Sequence, residues 1–244
     1  MCRMVGAVFR GEFPISVLRD LQHVAQIGMI PNEPEPGHRD GWGVVAFTNR
    51  SPEYVGRSPR PIFLDPSFDS ALQTVKRLSS PNILIAHVRA ASAGGATMEN
   101  THPFIANGVA LGHNGTVLNF EPMTSRKPRG ETDTERLTLL LADRVEEKGD
   151  LRSALKSIIQ EDAARAGFTA LVLLASDGSR LLAYRDYAKE DRASYYDLKY
   201  AICSDYIAFF QETVMDQGSR VVQVKKGELV TADLDLGVTA EQLA

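Results

Sequence analysis

The chain of 244 residues is poor in cysteine: Cys2 and Cys203 are its two cysteines. Two cysteines are too few for a disulfide framework, and neither lies in a CxxC or Cys/His cluster with metal-ligand spacing. No Gly-rich phosphate-binding loop is visible either. We therefore expect no structural zinc, no other metal ion and no cofactor.

Excess positive charge and long apolar runs are also lacking. Lys plus Arg total 27 against 31 for Asp plus Glu, a net charge of -4, and no basic run suits a nucleic acid backbone. No uninterrupted apolar stretch reaches the roughly 18 to 20 residues that cross a bilayer, and the first residues lack a signal-peptide apolar region. We expect neither nucleic acid nor membrane as a partner, and a cytoplasmic location.

The composition is that of a globular protein, with 43% hydrophobic and 24% charged residues. The length suits one large domain spanning 1–244. Apolar periodicity predicts helices over 14–27, 67–78, the segment after Thr132, and 151–165. It predicts strands over 4–9, 44–47, 82–88, 109–112, 168–175, 181–185, 200–203, 220–224 and 228–232. Many strands and few long helices, without regular alternation, indicate antiparallel sheets covered by helices.

Short sequence motifs predict two β-hairpins and the start of one helix. Asn114-Gly115 lies between apolar runs and predicts a β-hairpin, as does Asp177-Gly178. Thr132 and Glu135 form a capping-box pattern ahead of an apolar helix face.

Cys2 directly follows the initiator methionine. Removal of Met1 would place a free α-amine, with a pKa of about 7.7 to 8.0, beside a thiol with a pKa of about 8.5. One residue would then supply both a nucleophile and its base. The alternative is an ordinary small residue at a start site. If Met1 stayed, the amine would be blocked in an amide and the enzyme would be latent.

Five segments follow one another in an order that is informative as a set: MCRMVG at 1–6, HR at 38–39, AHVRAAS at 86–92, GHNG at 112–115 and TDTE at 132–135. Their order and spacing resemble class II glutamine amidotransferases of the N-terminal-nucleophile superfamily. The resemblance implies an α+β fold, a four-layer αββα sandwich of two antiparallel sheets. It covers roughly the first 140 residues, and the later strand pattern is compatible with the same fold.

The resemblance implies roles for particular residues. Cys2 would attack the glutamine carboxamide and form a γ-glutamyl thioester, while Asn114 and Gly115 would form the oxyanion hole. Arg89 would bind the α-carboxylate of the substrate and Asp133 its α-ammonium group. Each has a plain alternative: a turn at Asn114-Gly115, a surface arginine at a strand end, and an acidic residue in the first turn of a helix.

Three further residues match the family less closely. Ser92 stands where the family places a small hydroxyl that helps to bind the carboxylate, and His102 resembles the histidine of an Asn-Ala-His-Pro stretch, with a structural role as the alternative. Arg39 is expected to support the strand of the nucleophile. Here the sequence departs from the better-known pattern, because His-Arg is followed by Asp-Gly-Trp-Gly at 40–43. This departure concerns how the glutamine loop closes.

Family members usually pass ammonia to a synthase domain on the same chain, and this sequence leaves no room for one. We expect a stand-alone hydrolase that converts glutamine to glutamate and ammonia, with a separate ammonia-accepting synthase subunit as its partner. One alternative is a hydrolase of another γ-glutamyl amide, like family members that remove glutamate from thiol-metabolite intermediates. Another is a non-catalytic glutamine-binding subunit. A homo-oligomer is compatible with the sequence.

Overall fold

A computed structural model of the chain describes residues 2–31, 33–212 and 220–243. Its strands form a seven-stranded and a six-stranded sheet, both antiparallel. In chain order the strands are β1 (Arg3–Phe9), β2 (Trp42–Thr48), β3 (Ser51–Ser58), β4 (Asn82–Val88), β5 (Phe104–Ala106), β6 (Val109–Val117), β7 (Phe168–Ser176), β8 (Arg180–Tyr187), β9 (Lys199–Ile202), β10 (Tyr206–Phe210), β11 (Arg220–Gln223), β12 (Glu228–Asp233) and β13 (Val238–Gln242).

The seven-stranded sheet has the order β11-β9-β10-β1-β4-β2-β3, and the six-stranded sheet has the order β13-β12-β8-β7-β6-β5. The α-helices are α1 (Ser16–Ile27), α2 (Ser67–Val75), α3 (Asp133–Lys148), α4 (Leu151–Ser157) and α5 (Ala164–Ala166). A π-helical segment, Ile158–Ala163, joins α4 to α5. Within the described ranges, no helix is both long and apolar enough to cross a membrane.

Three separate apolar cores show how the layers are stacked. The first fills the space between the seven-stranded sheet and helices α1 and α2, and includes Leu18, Leu72 and Leu84. The second lies between the sheets, and the third packs α3 and α4 on the outer face of the six-stranded sheet. The order is therefore helix, sheet, sheet, helix, and the predicted αββα sandwich is confirmed.

Strand β1 lies near the middle of the seven-stranded sheet, between β10 and β4. All seven of its residues are buried, because one face packs into the first core and the other into the second. Its register pairs Arg3 with Val88 and Met4 with His87. Cys2, one residue before the strand, is therefore held beside the end of β4, where Arg89 follows.

The predicted hairpin at Asn114-Gly115 is wrong. Both residues lie inside β6, which continues to pair with β7 through a β-bulge between Gly115 and Val117. Gly115 has a positive φ of 147°, and such a backbone conformation occurs in β-bulges as well as in turns. The two-residue hairpin in this region is instead Asn107-Gly108, with φ values of 35° and 81°, and it joins β5 to β6.

The other predicted elements differ from the structure mainly at their ends. The Asp177-Gly178 hairpin between β7 and β8 is confirmed. The predicted helix over 151–165 is divided into α4, the π-helical segment and α5. Strands β3, β5, β10 and β13 were not predicted. Strand β3 is a largely polar, half-exposed edge strand, so it lacks the apolar alternation that identifies a strand in sequence.

Candidate active site

Cys2 is buried, with 7% of its surface exposed. Its backbone nitrogen donates a hydrogen bond to Asn114 Oδ1 at 2.9 Å. Its Sγ lies 3.9 Å from the carbonyl oxygen of Ala90, just beyond β4. The sheet pairing of β1 with β4 fixes the second contact, and the stacking of the two sheets fixes the first. The residue is thus held by both sheets at once.

The surroundings of Cys2 favour its thiolate. Burial raises the pKa of the thiol, but the charge of the His87 imidazole and the N-terminal charge lower it, as does a hydrogen bond with the backbone of Ala90. The result is a Cys2 pKa of about 6, below the ordinary value of 9.0. A thiol with this pKa is largely ionised at neutral pH, which is the state that attacks a carbonyl carbon.

Three buried histidines, at positions 87, 102 and 113, lie near Cys2. His102 stacks on His87 with ring centroids 4.6 Å apart, and His87 Nε2 lies 3.1 Å from the carbonyl oxygen of His113. Burial, followed by the charges of His87, Arg89 and His113, holds the pKa of His102 well below its usual range. The apolar neighbours of His87 in the sequence favour a structural imidazole, yet its charge lowers the pKa of Cys2.

Asn114 and Gly115 lie on the six-stranded sheet, opposite Cys2. The Asn114 side chain accepts from the Cys2 nitrogen through Oδ1 and donates from Nδ2 to Gln211 Oε1 at 3.3 Å. A Cβ atom at Gly115 would lie 1.9 Å from the carbonyl oxygen of Ala170. Only glycine fits this position, both because of that contact and because of its positive φ.

Arg89 is buried directly after β4, and its guanidinium is engaged by backbone carbonyls. Nη1 donates to Gly95 O at 3.0 Å, and Nη2 donates to Ala93 O at 2.5 Å and Gly94 O at 3.2 Å. The segment 93–95 therefore folds over the guanidinium. Carbonyl oxygens carry partial negative charge, so they occupy positions that suit the oxygens of a carboxylate.

The Asp-Gly-Trp-Gly segment, where the sequence departs from the better-known pattern, holds the chain around Arg89. The backbone nitrogen of Arg89 donates to Gly41 O at 2.8 Å, and that of Asp40 donates to Arg89 O at 2.9 Å. Asp40 Oδ2 accepts from the backbone nitrogen of Ala91 at 2.7 Å. These bonds extend the pairing of β2 and β4 beyond the strand ends.

Asp133 is the first residue of α3, and its Oδ2 accepts from the backbone nitrogen of Val117 at 2.7 Å. The predicted cap forms in part: Thr132 Oγ1 accepts from the backbone nitrogen of Glu135 at 3.2 Å. The Glu135 carboxylate, however, accepts from the backbone nitrogens of Arg129 and Gly130. Ser92 is exposed, with its Oγ 3.4 Å from Thr116 Oγ1.

A small cavity of about 20 Å³ lies among these side chains. This volume holds about one water molecule. Of the residues predicted from sequence, those lining it are Cys2, Arg89, Ser92, His102, Gly115 and Asp133. Asn114 joins them through its bond to Cys2. The structure therefore brings seven of the eight predicted residues together.

Arg39 is the eighth, and the structure places it elsewhere. Its side chain is exposed, with the guanidinium 5.2 Å from the centre of the Phe63 ring. The contact with the backbone of Cys2 is made by Arg3, whose Nη1 donates to Cys2 O at 3.0 Å. Arg3 also pairs with Glu212 at 2.5 Å and lies 3.8 Å from the centre of the Tyr195 ring. Its position next to Cys2 in sequence was the available signal.

His38 belongs to the HR segment at 38–39, but no role was predicted for it from the sequence. It is fully buried, and among the residues that the structure describes neither ring nitrogen has a hydrogen-bond partner. Burial, followed by the charges of Arg3, the chain terminus and His87, lowers the pKa of His38 to about 2. The imidazole is therefore neutral at physiological pH.

The chain is similar in sequence to known proteins. An uncharacterised protein of Methanocaldococcus jannaschii is 28% identical over 77% of this chain and 51% of its own length. The glutamine–fructose-6-phosphate aminotransferase (isomerizing) of Pseudomonas aeruginosa is 37% identical over 76% of this chain and 29% of its own length. This chain thus matches about half of the first relative and less than a third of the second.

Solved structures show the same fold. A glutamine aminotransferase class-II domain protein from Silicibacter pomeroyi is 19% identical, with 99% of both chains covered and a TM-score of 0.61. The glutamine phosphoribosylpyrophosphate amidotransferase from B. subtilis is 18% identical, with a TM-score of 0.65, and the match covers 99% of this chain and 49% of that one. The family model for class II glutamine amidotransferases matches residues 1–226. This chain therefore belongs to the class II glutamine amidotransferases.

Proposed function

We propose that this protein hydrolyses the side-chain amide of glutamine to glutamate and ammonia, with Cys2 as the nucleophile. The observation that carries the proposal is the hydrogen bond of 2.9 Å between the Cys2 nitrogen and Asn114 Oδ1. It joins the backbone of Cys2, whose thiol has a pKa of about 6, to the residue that would stabilise the oxyanion. Few arrangements outside acyl transfer need an ionised thiol and oxyanion donors in contact.

The reaction begins once Met1 has been removed. The Cys2 thiolate forms a C–S bond with the amide carbon, and the Gly115 backbone N–H and an Asn114 Nδ2 hydrogen bind the developing oxyanion. The C–N bond then breaks, and ammonia leaves with a proton carried by the α-amine. Water attacks the γ-glutamyl thioester, releases glutamate and restores the thiol. Asn114 Oδ1 orients the α-amine in both steps.

Arg89 and Asp133 would recognise the amino acid end of glutamine. The three carbonyl groups of segment 93–95 that now bind Arg89 would give way to the α-carboxylate, because a charge-assisted bidentate pair is stronger than bonds to neutral carbonyls. The cavity of about 20 Å³ must enlarge for glutamine to enter. We therefore infer that segment 93–95 moves when the substrate binds, with Ser92 and His102 as further lining residues.

The second candidate function is hydrolysis of another γ-glutamyl amide. It is favoured by a cavity of about 420 Å³ that shares Ala90 and Ser92 with the cavity at Cys2 and continues along the segment from Ile30 to Gly37. Ammonia needs no such space, whereas a larger amine does. If glutamine is the substrate, the ammonia would pass to a separate synthase subunit.

The test is a glutaminase assay on the wild-type chain and on Cys2→Ser, with Cys203→Ser as the matched control. We expect the Cys2 variant to lose activity and the Cys203 variant to keep it. Intact mass and peptide mapping after treatment with an electrophilic glutamine analogue should show loss of Met1 and one adduct on Cys2. Glutamine binding without turnover in the wild-type chain would instead support a non-catalytic glutamine-binding subunit.

A further inference from the structure

A large cavity of about 800 Å³ is lined in part by Arg3, the residue that donates to the carbonyl oxygen of Cys2. Its lining includes Arg3, Pro31, Arg192, Tyr195, Asp197 and Lys199. Sites for small molecules occupy about 300 to 1,000 Å³ in proteins, so this cavity has the volume of a ligand site. The glutaminase reaction described above uses none of it except Arg3.

Two routes connect the cavity to the nucleophile. Arg3 donates from Nη1 to the carbonyl oxygen of Cys2 at 3.0 Å and lies over the Tyr195 ring at 3.8 Å. The cavity also shares Ile30, Pro31 and Glu33 with the cavity of about 420 Å³ that reaches Ala90 and Ser92. A group attached to the amide nitrogen of a bound γ-glutamyl substrate would therefore have continuous space in this direction.

Most charges in the cavity are already paired. Arg3 pairs with Glu212 at 2.5 Å, and Lys199 pairs with Asp197 at 3.1 Å. The half-buried guanidinium of Arg192 takes part in no ion pair or side-chain hydrogen bond with the residues that the structure describes. The carboxylates of Glu33 and Asp191 also line the cavity, but both residues are exposed, so solvent screens their charges. Arg192 is thus a cation available to a ligand.

Tyr195 supplies a second group. Its hydroxyl oxygen is buried and has no hydrogen-bond partner among the described residues, while the Arg3 guanidinium lies over the face of the ring. Burial raises the pKa of Tyr195, with Arg3 lowering it and Cys2 raising it, so the hydroxyl remains a donor at neutral pH. A buried donor without a partner is costly and indicates a ligand oxygen.

We propose that this cavity binds the amine portion of a γ-glutamyl amide, and that this portion carries a carboxylate bound by Arg192 and the Tyr195 hydroxyl. The inference rests on the proposed function, and it specifies the second candidate substrate. Cys2 Sγ bonds to the γ-carbonyl carbon, the C–N bond breaks, and the carboxylate-bearing amine leaves with the proton from the α-ammonium group. Water then releases glutamate from the thioester.

The experiment compares matched amides on the Cys2→Ala chain by titration calorimetry. The probes are γ-glutamylglycine, γ-glutamyl-β-alanine and γ-glutamyl-4-aminobutyrate, each paired with the amide of an uncharged alkylamine of similar length. We expect at least one acid to bind about tenfold more tightly than its uncharged partner, the discrimination expected for a hydrogen bond to a charged group. Arg192→Gln and Tyr195→Phe should each reduce that ratio, whereas the exposed Arg165→Gln should preserve it.

Two results would overturn the proposal: equal affinities within every pair, or a preference for the acid that survives both Arg192→Gln and Tyr195→Phe. The wild-type chain is assayed separately for hydrolysis of glutamine and of the same amides. Absence of turnover with every compound would contradict the proposed function, while the binding ratio would still decide on the carboxylate site. The two failures are therefore distinguishable.

Discussion

The backbone nitrogen of Cys2 donates to the side-chain oxygen of Asn114, a residue 112 positions later in the chain, over 2.9 Å. Cys2 directly precedes β1 of one sheet and Asn114 lies in β6 of the other, so the bond spans the interface between the sheets. It also fixes which way the Asn114 amide faces: Oδ1 points at the Cys2 nitrogen and Nδ2 is turned to Gln211. One side chain can therefore orient a proton carrier and present a donor to an oxyanion.

Asn114→Asp separates these two roles. Aspartate keeps an oxygen for the Cys2 nitrogen but has no Nδ2 donor, so we expect kcat for glutamine to fall by about a hundredfold to a thousandfold. Alkylation of Cys2 by iodoacetamide should still occur. Steady-state kinetics and mass spectrometry together check the prediction, and unchanged kcat would remove Asn114 from the oxyanion hole.

The reactivity of Cys2 should follow its low pKa. In a Cys203→Ser background, the rate of alkylation should be half-maximal near pH 6 and fall as the pH drops through that value, because only the thiolate reacts. His87→Gln should move the midpoint upward, since the charge of His87 helps to lower the Cys2 pKa. An identical pH profile for the two proteins would contradict the assigned role of His87.

Gly115→Ala should lower the free energy of unfolding more than a Gly→Ala substitution in a turn does. The new Cβ would meet Ala170 O at 1.9 Å, and Gly115 has a φ of 147°, so we expect a loss of about 3 kcal/mol or more in the free energy of unfolding. Gly108→Ala is the matched control, because Gly108 has a φ of 81° with nothing within 4 Å of a Cβ. It should cost about 1 to 2 kcal/mol. Urea titrations measure both; similar losses would argue against a tight fit at Gly115.

His38 should make the protein less stable in mild acid. Its folded-state pKa of about 2 lies below the ordinary value of 6.5, so the unfolded chain binds the proton first as the pH falls below 6.5. Stability contributed by the neutral form is present above pH 6.5, and about 2 kcal/mol of it should be lost between pH 7 and pH 5. His38→Gln should lessen the pH dependence of the unfolding free energy by that amount. A variant with the wild-type pH dependence would show that His38 titrates normally.

Sequence predicted the fold wherever apolar residues alone decide an element. The run at 82–88 is strand β4 with its predicted bounds, because a central strand covered on both faces must be apolar throughout. Strand β3 was missed because an edge strand tolerates polar residues. Asn114-Gly115 was assigned to a turn because a dipeptide signal reports backbone conformation, which a bulge and a turn share.

In the candidate site, residue types were more predictable than contacts. Cys2 was identified from its position directly after Met1, and Arg89 and Asp133 from the resemblance to class II glutamine amidotransferases; the structure places all three on one cavity. Arg39 was predicted to support the strand that follows Cys2, whereas Arg3 makes the contact with Cys2. The apolar strand around His87 favours a core residue, since it gives no indication of what the histidine faces across the sheets.

The sequence by itself determined the periodicities that build two sheets and their covering helices, and the order of the residues able to perform amide chemistry. The tertiary structure alone decided that β1 pairs with β4 and that the sheets stack with Cys2 against Asn114. It also decided that the Cys2 pKa is about 6. The reason is physical: local sequence sets backbone conformation and burial, whereas a pKa depends on charges and donors brought near by residues distant in the chain.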